Sequence, residues 1–336
     1  MSGKRFILRK CGRTPRALDG GDSAASQEVS PPEVLSNLLA LSTPSPPPVT
    51  QTVRPLRENS MELDKIISGD SAVVLQSFPP DCIDLTVTSP PYDNLRTYNG
   101  FTFDFETIAR ELFRVTKAGG VVVWVVGDQT KNGNETLTSF KQAIYFQSVG
   151  FNVHDTMIYR KENYAPLTHK RYEQEFEYMF ILVKGKIKTF NPFLVDCKFA
   201  GKTIKRSRAT YEIGIRKREQ SDKQPKPTSD KKIKGNVWSY KVGGGNTVNH
   251  VAQFPEALAN DHILSWSNEN DTVLDCFCGS GTTPKMAKLL NRHYIGIDTS
   301  AEYVALANER LAQVERGLTQ RTPDVWDSAA STSILQ

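Results

Sequence analysis

Residues 272–283 read TVLDCFCGSGTT. Three β-forming residues lead into Asp275-x-Phe277-x-Gly279-x-Gly281, and Thr282–Leu290 carries helical spacing. In a strand–glycine turn–helix unit the backbone can bend tightly and come close to a ligand at the helix start. His293–Ile297 reads as the next strand and ends at Asp298, seventeen residues after Gly281. A carboxylate there can accept hydrogen bonds from two ribose hydroxyls, so the two features together describe a nucleoside-cofactor site. The glycines do not follow GxGxxG, and no Lys or Arg stands at the helix start to hold a pyrophosphate, which disfavours a dehydrogenase.

Outward from this unit, strand and helix patterns alternate on both sides. Asp64–Ile67, Ile83–Thr88, Val121–Val126, Phe151–Tyr159 and Phe176–Val183 read as strands. Ser71–Phe78, 104–117, Leu137–Val149, Pro255–Trp266 and Ala301–Val314 read as helices. Val121–Val126 is apolar throughout, which predicts a strand buried on both faces. The expected fold is α/β, a doubly wound, mostly parallel sheet. Ligands of such sheets sit beyond the carboxyl ends of the strands. A second unusual motif, Ser89-Pro90-Pro91-Tyr92, falls on that edge, after Ile83–Thr88.

The two prolines of this motif stiffen the chain and remove two N–H donors. A row of acceptors remains, the Ser89 hydroxyl and the Pro90 carbonyl, with the aromatic face of Tyr92 beside it. A base amino group is a poor nucleophile because its lone pair delocalises into the ring. Acceptors that take its hydrogens favour a pyramidal nitrogen and aim the lone pair outward, while a tyrosine face can stack the base.

Ser-Pro-Pro-Tyr combined with Asp-x-Phe-x-Gly-Ser-Gly resembles the amino-methyltransferases of type II DNA restriction-modification systems. The order, catalytic motif first and cofactor motif last with a basic region between, resembles their β class, whose motif order is permuted within the S-adenosylmethionine-dependent methyltransferase fold. Serine in place of Asp or Asn at 89 resembles the cytosine-N4 members, and the nearest of these acts on CAGCTG, at the inner cytosine. The resemblance spans roughly residues 63–315. It implies S-adenosyl-L-methionine as cofactor, with Asp275, Phe277, Gly279 and Gly281 in its loop and Asp298 on the ribose. His250–Pro255, HVAQFP, resembles the motif at the methionine end, which points to Phe254 and Pro255. Gly69-Asp70 resembles the one near the adenine. It implies Ser89, Pro90, Pro91 and Tyr92 as catalytic residues, double-stranded DNA as partner, a paired restriction endonuclease, a monomer, no metal, and a prokaryotic, nucleoid-associated cytoplasmic location. N6-adenine methylation shares this geometry and stays open. RNA or protein-amide methylation, and a binding module that merely keeps the fold, are weaker rivals. Cytosine-C5 chemistry is disfavoured, because it uses a cysteine after a proline and the chain has no Pro-Cys pair.

Charge points to the same partner. From Lys184 to Lys241 there are 17 Lys and Arg against 5 Asp and Glu, a local +12, so the net +5 of the chain leaves −7 for the rest. A basic segment on a mildly acidic body is the footprint of polyanion binding. Its arginines Arg206, Arg208, Arg216 and Arg218 are candidates for reading guanine edges, and its lysines for touching phosphate. Five scattered cysteines suit a reduced protein and neither a disulfide scaffold nor a zinc domain. No apolar run approaches the ~18 residues of a membrane helix. The expected organisation is a flexible tail at 1–59, a catalytic half at 60–183, a DNA-recognition insert at 184–247, a cofactor half at 248–316 and a C-terminal tail at 317–336.

Overall fold

A computed structural model describes residues 61–91, 103–164, 170–203, 208–212, 215–219, 227–242 and 255–317. The expected tails, at 1–59 and beyond Gly317, lie outside the described residues, as do Tyr92, Arg206, His250 and Phe254.

The chain runs β1 (Lys65–Ser68), α1 (Ser71–Val74) with a 3-10 turn at Leu75–Ser77, β2 (Ile83–Thr88), α2 (Phe105–Val115), β3 (Thr116–Val126), a small hairpin β4 (Thr130–Lys131) and β5 (Asn134–Glu135), α3 (Thr138–Val149), β6 (Asn152–Lys161) and β7 (Phe176–Val183). It continues with β8 (Leu194–Asp196), β9 (Arg208–Glu212), β10 (Ile215–Glu219), β11 (Lys231–Ile233), β12 (Val237–Tyr240), α4 (Glu256–Trp266), β13 (Thr272–Asp275), α5 (Thr282–Leu289), β14 (His293–Asp298) and α6 (Ala301–Ala312). One eight-stranded sheet has the order β1-β14-β13-β2-β3-β7-β6-β12. Every pairing in it is parallel except those of β7 with β3 and β6. This is the mostly parallel, doubly wound sheet that the alternation predicts.

Side-chain alternation along β3 feeds two cores. Val121, Val123 and Val125 join the core that holds Leu258 and Ile263 of α4, Met286 of α5 and Leu311 of α6. Val122, Trp124 and Val126 join the core that holds Ile108 and Leu112 of α2 and Phe146 of α3. Helices on both faces remove the whole strand from water, so it reads as one unbroken apolar run. Several helices start on side-chain caps: Asp70 accepts the Ala72 N–H at 2.8 Å, Asp104 the Thr107 N–H at 3.1 Å and Ser300 the Tyr303 N–H at 3.3 Å.

The structure departs from the sequence reading in three places. The expected helix over 71–78 breaks into α1 and a 3-10 turn, because Phe78 turns extended before Pro79-Pro80. The Ala118-Gly119-Gly120 stretch, read as a helix stop, already belongs to β3, where Gly119 N–H donates to the Lys184 carbonyl at 2.7 Å. Val237–Tyr240, placed by the sequence reading inside the basic insert, is the edge strand of the main sheet, parallel to β6. Between β7 and β12 the described chain forms two small antiparallel pairs, β8–β11 and β9–β10. Among the described residues, no helix is long and apolar enough to cross a membrane.

Thr86 in β2 is fully buried, and its hydroxyl has no hydrogen-bond partner. Thr86→Val removes an unsatisfied polar group at nearly constant volume. It is expected to raise the unfolding free energy by about 1 kcal/mol, read as a higher urea midpoint at unchanged slope.

Candidate active site

β13 and β2 are neighbours, and the chain leaves them in opposite directions. After β2 it goes through α2 to β3 on one side, and after β13 through α5 to β14 on the other. Such a switch point opens a crevice beyond the carboxyl ends of the two strands. Ser89-Pro90-Pro91 leaves β2 there, and the 275–281 loop leaves β13 there. The two stretches are far apart in the chain and side by side in the fold.

Buried hydroxyls bind the two strand ends together. Thr88 Oγ1 donates to Asp275 Oδ1 at 2.7 Å, and Thr283 Oγ1, on the first turn of α5, donates to the Val87 carbonyl at 3.2 Å. The Ser71 hydroxyl donates to the Cys276 carbonyl from the other side. Asp275 Oδ1 also accepts the Phe277 N–H at 3.1 Å. Burial pushes the Asp275 carboxyl up to about 6, against the pull of the Thr88 and Phe277 hydrogen bonds. The structure thus places Asp275 inside the joint between the two strands. Of the motif that follows β2, Pro90 is buried and Ser89 and Pro91 are half-buried.

The glycine loop is shaped by its own conformation and by its neighbours. Gly279 has φ +48° and Gly281 φ +78°, both in the left-handed region. A Cβ on Gly281 would lie 2.7 Å from the Ala307 Cβ of α6. Gly281→Ala is therefore expected to cost about 2 kcal/mol of stability through strain and overpacking, read as a lower urea midpoint. The Phe277 ring packs edge-on against Phe103 and Trp124, with centroids at 5.2 and 6.1 Å, and anchors the loop to the core under α2 and α3. Cys276 and Cys278 are buried, and burial raises both thiols, so they are neutral packing groups.

Asp298 closes β14 beside this loop. Its Oδ2 accepts the Gly279 N–H at 2.8 Å and its Oδ1 the Ser300 N–H at 2.9 Å. Each oxygen keeps a further lone pair. Ser68 pairs with Asp298 in the β1–β14 register, and Gly69 N–H donates to the Asp298 carbonyl at 2.9 Å, so Asp70 stands at the same edge. Asp70, Ser89, Pro90, Pro91, Asp275, Phe277, Gly279, Gly281 and Asp298 thus line one edge of the sheet. Pro255, the N-cap of α4, precedes Glu256, which is hydrogen-bonded to α5 and α6.

Positions 208, 216 and 218 lie on the β9–β10 ribbon, whose register sets Arg216 opposite Tyr211 and Arg218 opposite Ala209. A cavity of about 110 Å³ between Phe190, Trp238 and Trp266 opens near the start of β6 and the end of α4, at the opposite edge of the sheet, and is no part of this site. Reading the sequence alone missed Thr88, Ser71, Glu256 and Arg310. Their partners lie tens to hundreds of residues away, and no local pattern marks them.

A family described as DNA methylase matches residues 83–309. The orphan methyltransferase M.BamHII of Bacillus amyloliquefaciens is 53% identical over 241 residues, which cover 69% of this chain and 89% of that protein. The DNA adenine methyltransferase YhdJ of Escherichia coli K12 is 29% identical over 74% of this chain and 83% of its own length. Among solved structures, the modification methylase TTHA0409 of Thermus thermophilus complexed with S-adenosyl-L-methionine aligns at TM-score 0.50 and 25% identity, covering 74% of this chain and 93% of that one. The cytosine-N4-specific PvuII DNA methyltransferase, the individual enzyme that the motifs bring to mind, aligns at TM-score 0.55 over 76% of this chain and 87% of that one. At 19% identity that likeness is one of fold, and it lends no support to the two being the same protein.

Proposed function

Since this chain belongs to the N6/N4 DNA methylase family, we propose that it moves a methyl group from S-adenosyl-L-methionine to the exocyclic N4 of cytosine in duplex DNA. The observation that carries the reading is the junction of β2 with β13, which sets Ser89-Pro90 beside the glycine loop.

The residues present suit this cofactor. Two glycines in the left-handed region let the loop backbone come close to a nucleoside, Asp298 keeps lone pairs for ribose hydroxyls, and Asp70 stands at the adenine side of the same edge. Phe254 and Pro255 would wall the methionine end. Bound there, S-adenosyl-L-methionine supplies a methyl on a sulfonium, already electrophilic enough to be attacked directly. The chain's own contribution is then positioning. The Ser89 hydroxyl and the Pro90 carbonyl accept the amino hydrogens of a flipped-out base, whose extrusion costs about a few kcal/mol, and Tyr92 stacks on its ring.

The basic segment is the proposed DNA-recognition module. A two-stranded ribbon fits the major groove, and β9–β10 carries Arg208, Arg216 and Arg218, with Arg206 just before it. Serine at 89 favours cytosine. Adenine N6 is the alternative, and the 29% identity to an adenine methyltransferase keeps it in play. The protein acts in this reading as a monomer beside a restriction endonuclease of the same specificity.

Incubation with methyl-labelled cofactor and varied duplexes, CAGCTG among them, followed by mass analysis of the nucleosides, tests all of this. N4-methylcytosine is expected. N6-methyladenine would move the reading to its alternative, and unlabelled DNA throughout would overturn it.

A further inference from the structure

Beneath the glycine loop lies a buried charge cluster that the transfer chemistry does not use. Arg310 of α6 is 9% exposed. Its Nη1 donates to the Ser280 carbonyl at 2.5 Å and the Ser280 hydroxyl at 2.9 Å, and it lies 3.4 Å from Thr282 Oγ1. Its Nη2 donates to Glu256 Oε1 at 2.8 Å, and the same oxygen accepts Lys285 Nζ at 2.7 Å. One turn earlier on α6, Ala307 is the residue that a Cβ on Gly281 would strike. Residues three apart share a helix face, so α6 turns one face to the underside of Ser280-Gly281-Thr282. Glu256 is the first residue of α4, directly after Pro255.

We propose that Arg310 is a positioning residue for cofactor binding, a clamp that joins the glycine loop to the start of α4. The inference rests on the reading that this loop binds S-adenosyl-L-methionine. Its physical basis is the forked guanidinium, which has several donors in a fixed plane. One nitrogen holds the Ser280 carbonyl and hydroxyl. The other holds Glu256, which fixes the chain as it leaves the 254–255 segment. Two walls of the proposed pocket, from segments whose clamp residues are 54 positions apart, thereby become one unit. A lysine at 310 would keep the charge and lose the fork. Among the described residues the cluster holds two cations, Arg310 and Lys285, around the single carboxylate of Glu256, and the loop's carbonyl and hydroxyl oxygens supply the remaining acceptors.

The test is isothermal titration of the full-length protein with S-adenosyl-L-methionine, together with amide hydrogen exchange of residues 277–283 in the cofactor-free protein. Arg310→Met is expected to raise the cofactor Kd about thirtyfold and to speed exchange across the loop. Arg310→Lys should recover only part of that affinity. Glu256→Gln, the milder change and the one kept if Arg310→Met does not fold, should raise Kd several-fold. The DNA Kd, and kcat at saturating cofactor, should stay within about twofold in every folded variant. A purely architectural role predicts a lower melting temperature with wild-type Kd and wild-type loop exchange in the folded protein, and that result overturns the proposal. If the wild-type protein itself does not bind S-adenosyl-L-methionine, the reading of the loop fails first, and the clamp falls with it.

Discussion

Asp298→Ala is expected to weaken S-adenosyl-L-methionine binding about a hundredfold while the sheet stays folded. The carboxylate has two duties at one place. Its oxygens hold the Gly279 and Ser300 N–H groups, which set the height of the glycine loop and the start of α6. Their remaining lone pairs face the edge where the ribose hydroxyls are proposed to sit. Hydrogen bonds to a charged acceptor contribute about 1.5–3 kcal/mol each, and about 1.4 kcal/mol is tenfold in affinity. Loss of the ribose contacts together with a slackened Gly279 therefore brings the total near two orders of magnitude. Asp298→Asn keeps one acceptor oxygen and should fall between the two. Calorimetric titration of each variant checks this, and a folded Asp298→Ala protein with near wild-type affinity would remove Asp298 from the cofactor site.

Ser89→Ala is expected to lower kcat about a hundredfold, with cofactor and DNA affinities within about twofold of wild type. The asymmetry follows from what the hydroxyl is asked to do. An acceptor for an amino hydrogen gains strength as the nitrogen pyramidalises and positive charge develops on it, so it stabilises the transition state more than the bound substrate. Loss of one aimed polar group of this kind typically costs about 10²–10³ in rate. Ser89 sits half-buried between Thr88, tied to Asp275, and the stiff Pro90-Pro91 pair. The substitution removes one oxygen without freeing the backbone around it. Single-turnover methylation at saturating cofactor, with separate binding titrations, distinguishes the outcomes. Unchanged turnover would take Ser89 out of the mechanism, and an equal loss in binding would make it a substrate-affinity residue.

Much of this site is legible in the linear chain because the signals are local. A strand–turn–helix with glycines at 279 and 281 needs only neighbouring residues to declare itself, since left-handed φ values select glycine wherever the turn occurs. Asp298 declares itself by standing at the end of a strand. The unbroken apolar run at 121–126 announces a strand covered on both faces. The basic segment shows its charge but hides its architecture. Short strands such as Leu194–Asp196 and Lys231–Ile233 carry no sustained period, and Val237–Tyr240 takes its place in the main sheet through β6 rather than through its own pattern.

The amino-acid sequence by itself determined the alternating elements, the two motifs and their common edge, because periodicity and turn chemistry are properties of residues close together in the chain. Only the tertiary structure decided that β13 lies against β2, that Asp275 works as a joint between Thr88 and the loop, and that Arg310 grips Ser280 and Glu256. Those partners are separated by 187, 30 and 54 positions. Strand pairing and the burial of two cores select them, and neither leaves a mark in the spacing of neighbouring residues.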